Sequence, residues 1–362
     1  MENEVEVVVN YIEPYKIKGE TFALNLEEEF RIDMERDDIL EAGLADARKF
    51  EVDSEKNIYF LETRGAKSFI FKFDRQGNFV TSFARKGQGP GELQSPRHLS
   101  IDSRDKLAIT DSRRRRLVIY SRDGGLIKEN AIDTNVRKIS LLENGKYLVF
   151  KLIFDRYGDY LWQMPLSLRS FEWGEIKELG RLSFPNYLIG KRIEIPEHAF
   201  IWAASKENIY IGNEDRGYEI RVFNLEGNLV RKIKKEYRPV EIPEKLKEKY
   251  KQMLEDSSDE AFRRNTYIRN YMPPFQYFFT DEEGRLFVMT FENGENPGEN
   301  MCDIYDHDGI FIGRKSLGNY YHQQDYREEE ALEIRAINNL LYCLREKENG
   351  YKELVVYRMK WE

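Results

Sequence analysis

A repeated pattern of short strands constrains the fold more than any other feature of this sequence. Residues 50–80 and 99–127 share one order of segments. Two apolar-alternating segments are joined by a turn that contains Asp, and two further strands follow, joined by a turn that contains Gly. Asp53 and Asp102 occupy the same place in the two copies, 49 residues apart. Alternation over four to eight residues is typical of half-buried strands, and periods of about 40 to 50 residues are typical of propeller blades.

The pattern occurs six times along the chain. Two further clear copies and two degenerate ones complete the set, at residues 201–230, 278–312, 139–150 onward and 334–357. The last copy offers only three strands before Glu362, and residues 20–32 can supply the missing outer strand. Closure of the ring would protect strand edges that otherwise pair with other chains. We therefore predict an all-β fold, a six-bladed β-propeller of four-stranded antiparallel blades, as a single domain over residues 1–362.

Residues 241–270, between the fourth and fifth copies, break the pattern. They are rich in Lys, Glu and Arg, and apolar residues at 246, 250, 253 and 254 form one stripe on a helix. Pro243 suits a first helical turn, and a second short helix is expected around Ala261–Arg264. The prediction is a short helical insertion, which acts either as a surface decoration packed on the ring or as a lid or docking element.

The repeats resemble NHL-type blades through the recurring form apolar-x-Phe-Asp-x-x-Gly, as in residues 71–77. The connector at residues 85–92, Arg-Lys-Gly-Gln-Gly-Pro-Gly-Glu, is similar to the link in bacterial six-bladed propeller proteins of that group. The resemblance covers most of the chain and is strongest from residue 48 to 128. It implies the fold, and it implies an extracytoplasmic location, because many members are exported lipoproteins of unassigned activity. The first residues do not form a signal peptide, so a cytoplasmic location stays open.

The glycine-rich connector superficially resembles a dinucleotide-binding fingerprint. That fingerprint needs a following helix and free backbone N–H groups, whereas Pro90 removes one donor and Leu93-Gln94-Ser95-Pro96 does not open a helix. We interpret the connector as a turn between two blades, in which the glycines permit positive φ angles and Glu92 accepts hydrogen bonds from the backbone.

Basic residues recur where the innermost strands of the blades begin. In a propeller these positions share one face with the loops between second and third strands, so an acidic protein would concentrate positive charge around one channel mouth. Such a cluster attracts anions, and Arg suits carboxylate, phosphate or sulfate. The alternative interpretation is that these side chains are solvated or paired with nearby acids, including Glu51, Glu62 and Asp111. Two aromatic residues near the same positions are candidates for stacking on a glycan or peptide. The candidate ligand-binding residues are Arg48, Lys49, Arg97, His98, Arg113, Arg114, Arg137, Lys138, Trp202, Tyr277 and Arg335.

The alternative function is a metal-assisted hydrolase, lactonase or lyase at the channel mouth, for which calcium would be the cofactor. The four histidines, at positions 98, 198, 307 and 322, have no zinc-type spacing, and no metal ligand or catalytic residue is assigned. Aligning the blades places Lys49, Lys138, Phe200 and Tyr277 at the position of His98, which is not a three-histidine site. Asp53, Asp102 and Asp281 recur with the repeat, so we interpret them as turn residues rather than calcium ligands.

Composition narrows the range of partners. The formal net charge of −8 disfavours nucleic acid, and no apolar run reaches the roughly 20 residues of a membrane span. The two cysteines imply no disulfide framework. We expect a monomeric ligand- or protein-binding scaffold without a cofactor, rather than an enzyme, whose partner is a small anionic ligand, a glycan or a protein. A protein–protein platform would show an exposed apolar patch on the insertion.

Overall fold

The chain forms a ring of six antiparallel sheets, as the repeat predicts. The computed structural model describes residues 5–15, 23–44, 47–63, 67–102, 104–133, 135–196, 200–318 and 334–362. Each of these six sheets is one blade, and its first strand lies innermost, in contact with the first strands of neighbouring blades. The predicted six-bladed propeller is confirmed.

The elements follow one another in chain order. Before the first blade lie β1 (Glu6–Asn10), β2 (Leu24–Asp33) and the helix α1 (Asp37–Ala42). Blade 1 contains β3 (Ala47–Val52), β4 (Ile58–Glu62), β5 (Ser68–Phe73) and β6 (Phe79–Arg85). Blade 2 contains β7 (Pro96–Ile101), β8 (Leu107–Asp111), β9 (Arg116–Tyr120) and β10 (Leu126–Ala131). Blade 3 contains β11 (Val136–Leu141), β12 (Tyr147–Lys151), β13 (Ile153–Phe154), β14 (Tyr160–Arg169) and β15 (Glu175–Pro185).

The second half of the ring carries the additions. A 3-10 turn (Tyr187–Ile189) and β16 (Ile193–Ile195) precede blade 4. Blade 4 contains β17 (Phe200–Ala204), β18 (Asn208–Asn213), a 3-10 turn (Glu214–Arg216), β19 (Glu219–Asn224) and β20 (Leu229–Lys235). The insertion contains α2 (Glu244–Asp256), α3 (Glu260–Asn265) and β21 (Thr266–Ile268). Blade 5 contains β22 (Tyr277–Thr280), β23 (Leu286–Asn293), β24 (Glu299–Tyr305) and β25 (Phe311–Gly318), and blade 6 contains β26 (Ile334–Ile337), β27 (Leu340–Glu346) and β28 (Lys352–Trp361).

Apolar side chains fill the spaces between neighbouring blades. Phe50 and Phe60 of blade 1 pack with Tyr342 of blade 6, and the centroids of the Phe50 and Tyr342 rings lie 6.3 Å apart. Cys302 and Cys343 are thiols, and both are buried in the core between blades 5 and 6. Because successive side chains of a strand point to opposite sides, each blade presents one apolar face to each neighbour. Burial of these faces holds the ring together.

The ring is closed by a strand from near the N-terminus. Strand β2 pairs antiparallel with β28 from Leu24 opposite Trp361 to Asp33 opposite Glu353, and it forms the fourth strand of blade 6. The predicted closing strand is confirmed for its described part, while residues 20–22 lie outside the described residues.

Strand β1 adds a fifth strand to blade 4, which the sequence did not predict. It pairs in parallel with the outer strand β20, from Glu6 opposite Arg231 to Asn10 opposite Lys235. The Asn10 side chain then fixes blade 5, because its Nδ2 donates to the Gly309 carbonyl at 3.0 Å and its Oδ1 accepts from the Phe311 N–H at 2.8 Å. The N-terminal segment thus ties two blades together along their outer rim.

The recurring Asp residues are turn residues, as predicted. One carboxylate oxygen of Asp53 accepts from the backbone N–H groups of Glu55 and Asn57, at 3.0 and 2.8 Å. Asp102 and Asp281 accept in the same way from residues two and four positions later. These turns follow the innermost strand of each blade and therefore lie on the face where those strands end.

The helical insertion is confirmed, with Pro243 directly before α2. Its apolar stripe is only half-buried, since no residue of α2 is fully buried. Strand β21 pairs in parallel with β16, so the insertion is anchored on the segment before blade 4. In the described parts of the chain, the helices are too short or too polar to cross a membrane.

Candidate functional site

The channel mouth lies on the face where the innermost strands begin, which we call the mouth face. Blades 1, 2 and 3 share a local irregularity there. Strand pairing shifts by one residue between Ala47 and Lys49, between Pro96 and Leu99, and between Val136 and Lys138. Each shift is a β-bulge. Among the described residues of blades 4, 5 and 6, the pairing of the first strand with the second shows no such shift. Bulges re-aim side chains and are frequent next to functional sites.

Each bulge falls on a pair of consecutive basic residues. The pairs are Arg48-Lys49, Arg97-His98 and Arg137-Lys138. The sequence placed these residues just before the strands, whereas the structure places them inside β3, β7 and β11. The correction has a physical reason, because an extra residue can be accommodated within a ladder when it is left unpaired as a bulge.

His98 marks where this charge converges. It lies between blades 1 and 3, and its side chain is buried. Burial holds the pKa of the His98 imidazole well below its usual range, and the nearby charges of Lys49, Lys138, Arg97 and Arg137 lower it further. Four cations from three consecutive blades therefore act on one neutral imidazole. The site is a basic cluster around a histidine that resists protonation.

Blade 6 adds a cation that is already balanced by an acid. The Arg335 guanidinium lies 3.1 Å from Oε1 of Glu51 and 3.2 Å from its Oε2, in a two-pronged contact that bridges blades 6 and 1. Its Nη1 also donates to the Tyr277 hydroxyl of blade 5 at 3.4 Å. The guanidinium is therefore oriented, and its charge is largely offset by Glu51.

The aromatic candidates occupy two different places. Trp202 is buried between blades 3 and 4, and Lys138 Nζ lies 4.4 Å from the centre of its ring. Tyr277 is half-buried at the mouth. The strand register corrects the expected alignment of blade 4. Ile201, not Phe200, lies three residues before the last residue of the first strand that pairs with the second strand, as Lys49, His98 and Tyr277 do in their blades. Phe200 instead stacks on Phe150 in the core, with ring centroids 5.8 Å apart.

Arginines 113–116 follow the second strand of blade 2, and two of them bind the connector at residues 85–92. Arg113 is exposed, and Arg114 donates to the Gln88 carbonyl at 2.7 Å. Arg116 is buried against Asp111 and Glu129 and also donates to the Glu92 carbonyl. Arg116 therefore holds the connector in place and is not available to a ligand in the way that was predicted for this loop.

The connector itself is a turn, as interpreted from the sequence. Glu92 Oε2 accepts from the Gly89 N–H at 2.8 Å. Of the three glycines in the connector, only Gly91 has a positive φ, of 69°. A Cβ on Gly87 would lie 2.0 Å from Glu92 Oε2. Gly87 is thus required for close approach of the carboxylate rather than for an unusual φ.

The described residues contain no group of three or more His, Cys, Asp or Glu side chains that could hold a metal ion. Of the four histidines, His198 and His322 lie outside the described residues, and His307 is exposed in a turn of blade 5.

Apolar surface is exposed near the insertion. Met253, Tyr267, Tyr271, Leu188 and Ile189 are exposed there, on α2, on the neighbouring segments and on the 3-10 turn before β16. The Arg192 guanidinium lies 4.0 Å from the centre of the Tyr267 ring, so one side of that ring is covered. The exposed side chains match the feature expected of an interaction platform.

Comparison with known proteins agrees with this architecture. Residues 50–187 match the model of the family DUF5128, described as a 6-bladed beta-propeller. The protein is a six-bladed β-propeller. A predicted exported protein from Bacteroides fragilis is 13% identical, with a TM-score of 0.55 over 98% of this chain and 99% of that one. A member of the DUF4221 family from Bacteroides vulgatus is 12% identical, with a TM-score of 0.54 over 94% and 98%.

More distant propellers include enzymes. A gluconolactonase from Xanthomonas campestris is 11% identical, with a TM-score of 0.44 over 91% of this chain and 98% of that one. A search of the curated proteins found no match to this propeller. At these identities the likeness shows the fold alone.

Proposed function

We propose that this propeller is a binding scaffold that takes an anionic ligand at its channel mouth. The observation that carries the proposal is the repeated bulge, which puts consecutive basic residues on the innermost strands of three neighbouring blades. The cations that act on His98 come from these same residues. Positive charge brought together in a concave region focuses potential and attracts anions, even on a protein whose overall charge is negative.

The chemistry of the residues favours carboxylate, sulfate or phosphate. Arg48, Arg97 and Arg137 offer planar forks that bind such groups through two hydrogen bonds, while Lys49 and Lys138 act as compact point charges. His98 is held neutral, so it acts as one hydrogen-bond donor and one acceptor rather than as a further cation. The role is recognition, because arginine, lysine and a neutral imidazole suit the binding of an anion. Export of this protein, by likeness to the Bacteroides fragilis propeller, is part of the proposal.

Isothermal titration of the full chain with sulfate, phosphate and succinate at low ionic strength tests the proposal. We expect saturable binding of at least one anion with one site per chain. Substituting Lys49→Met and Lys138→Met together should weaken binding at least tenfold, because a hydrogen bond to a charged group contributes about 1.5–3 kcal/mol. The affinity should also fall as salt is raised, since half-exposed charges are screened.

The matched control removes two cations from the opposite face. Arg104 and Lys206 are exposed in turns that follow the innermost strands of blades 2 and 4. The double variant Arg104→Gln/Lys206→Gln changes the net charge equally and should bind the anion as the parent protein does. Equal weakening by both pairs would mean that net charge, not the mouth, governs binding, and the proposal would fall.

A further inference from the structure

A second pocket lies between blades 4 and 5, apart from the basic residues of blades 1 to 3. It contains about 240 Å³ of empty space, including its open side. Its lining comes from the residue before β19, the end of β23, and the segments that leave blade 4 and enter blade 5. We infer that this pocket binds a small monocarboxylate with a compact apolar body. The inference does not depend on the anion site proposed for the channel mouth.

Buried charges hold the floor of the pocket. Tyr218 and Glu292 both line it, and the Tyr218 hydroxyl donates to Oδ2 of Asp303 at 2.8 Å. Arg314 joins the two acids, because its Nη2 lies 2.8 Å from Glu292 Oε2 and its Nε lies 2.8 Å from Asp303 Oδ1. Lys235 pairs with Asp303 from below. Two cations and two acids make this network neutral overall, and buried ionisable groups beneath a cleft are typical of binding sites.

Arg238 adds one positive charge to the pocket. Its side chain is exposed, and no acid or hydrogen-bond acceptor holds it within the described part of the chain. Tyr237 beside it is half-buried, and its hydroxyl makes no hydrogen bond to any described residue. A guanidinium binds a carboxylate through two parallel hydrogen bonds, and a phenol can donate a third. The charge of the pocket therefore matches a ligand with one negative charge.

The remaining walls are apolar and are held in place before any ligand binds. They are formed by Val240, Pro273, Pro274 and Phe291. The Met272 N–H donates to the Val240 carbonyl at 2.8 Å, which fixes the segment after blade 4 to the segment before blade 5. The space is below the roughly 300 Å³ at which pockets for drug-sized molecules begin. The walls therefore suit a short branched hydrocarbon body.

Glu292 restricts the ligand to one carboxylate. Its Oε2 pairs with Arg314, whereas its Oε1 has no partner among the residues that the structure describes. A second carboxylate on the ligand would meet this acid in a confined space, and like charges placed together weaken binding. The pocket should therefore distinguish a monocarboxylate from a dicarboxylate of the same size.

Three ligands of similar size separate these contributions. Isobutyrate is compared with methylmalonate, which replaces one methyl group by a second carboxylate, and with isobutanol, which lacks the charge. Ligand-observed NMR titration of the full chain measures the three affinities. We expect isobutyrate to bind with a dissociation constant of about 1 mM, which six non-hydrogen atoms can provide. The other two ligands should bind at least fivefold more weakly, because each loses one of the complementary interactions.

Substitutions in the lining test each contact. Arg238→Met should weaken isobutyrate binding at least tenfold. The matched control is Arg75→Met, an exposed arginine in a turn of blade 1 on the opposite face, which should leave the affinity unchanged. Val240→Thr keeps the shape of the side chain and should weaken binding about threefold, because a methyl contact is lost. Glu292→Gln should reduce the preference for isobutyrate over methylmalonate at least twofold. Melting temperatures show whether each variant is folded.

The outcomes also separate this inference from the proposed function. Equal affinity for the three ligands, or equal weakening by Arg238→Met and Arg75→Met, would overturn the inference. Lys49→Met/Lys138→Met should bind isobutyrate as the parent protein does. Loss of isobutyrate binding in that double variant would place the acid at the channel mouth, which overturns the inference and leaves the proposed function standing. Tighter binding of N-acetylvaline than of isobutyrate would mean that the pocket recognises a peptide end, and the assignment to a small free acid would fall.

Discussion

Lys235 and Asp303 form a buried ion pair that joins blade 4 to blade 5. Lys235 Nζ lies 2.8 Å from Asp303 Oδ2, and the two side chains are 2% and 0% exposed. The Tyr218 hydroxyl donates to the same oxygen at 2.8 Å, and Arg314 Nε lies 2.8 Å from Oδ1. One carboxylate therefore balances cations from two strands of different blades.

Substituting Asp303→Asn should destabilise the protein by about 3–5 kcal/mol, because the change leaves the buried Lys235 charge without its counter-charge. Urea unfolding measures the loss. The control is Glu27→Gln, which breaks the half-exposed pair with Lys360 and should cost at most about 1 kcal/mol. Similar losses in both variants would contradict a special role for the buried pair.

The connector offers a test of close packing. Gly87→Ala should lower the melting temperature, because its Cβ would meet the Glu92 carboxylate and force it away from the Gly89 N–H. A loss of about 1–3 kcal/mol is expected for steric strain of this kind. If the clash is the cause, the double variant Gly87→Ala/Glu92→Ala should be no less stable than Glu92→Ala alone. Additive losses would point to another cause.

The buried His98 predicts a pH dependence. Its pKa is lowered in the folded state, so the unfolded chain binds more protons once the pH falls below the usual histidine pKa of about 6.5. Stability contributed by the neutral imidazole is present above that pH and declines as the pH falls toward the lower folded pKa. The melting temperature measured between pH 7.5 and pH 5 should decline less in His98→Gln than in the parent protein. An unchanged slope would mean that other groups set it.

Anion binding should oppose this effect. Burial, the larger cause of the lowered His98 pKa, persists when an anion binds, but the anion offsets the charges of Lys49, Lys138, Arg97 and Arg137 and so raises that pKa in part. Binding in acidic buffer, below the usual histidine pKa, should therefore take up protons, and calorimetry in buffers of different ionisation enthalpy measures that uptake. The His98→Gln variant should lose it.

Glu51 limits the positive charge of the mouth. Substituting Glu51→Gln removes the carboxylate that holds Arg335 and should tighten anion binding several-fold, because one negative charge leaves the region. Titration with sulfate measures the change. Glu55→Gln, which breaks the exposed pair with Arg122 on the opposite face, is the control and should leave affinity unchanged.

The closing strand makes a prediction about cooperativity. Deleting residues 1–33 removes β2, exposes the edge of β28 and should abolish the sharp thermal transition and promote association. Deleting residues 1–10 removes only β1 and should lower the melting temperature while the transition stays sharp. Scanning calorimetry and light scattering distinguish the two results.

The sequence predicted what depends on local pattern. Blade number, the Asp turns at 53, 102 and 281, the helical insertion and the closing strand follow from periodicity and turn chemistry, which act over a few residues. Strand β1 and the β16–β21 pair could not be predicted in this way. Their partners lie far along the chain, and short parallel strands carry no pattern of their own.

The site was predicted in composition but not in geometry. The basic dipeptides can be read directly from the sequence. The bulges that change the direction of their side chains depend on the register between two strands, which a single segment does not encode. The Arg335–Glu51 pair joins residues 284 positions apart, and no local signal indicates it. The same register places Ile201 rather than Phe200 at the position equivalent to His98.

The end of the chain has a practical consequence for orientation. Strand β28 runs from the mouth face toward the opposite face, so Trp361 lies on the side away from the ligand site. A tether attached after Glu362 would hold the propeller with its mouth pointing away from the support. Immobilised in this way, on a sensor chip or at any other surface, the protein would present its basic residues directly to the surrounding solution.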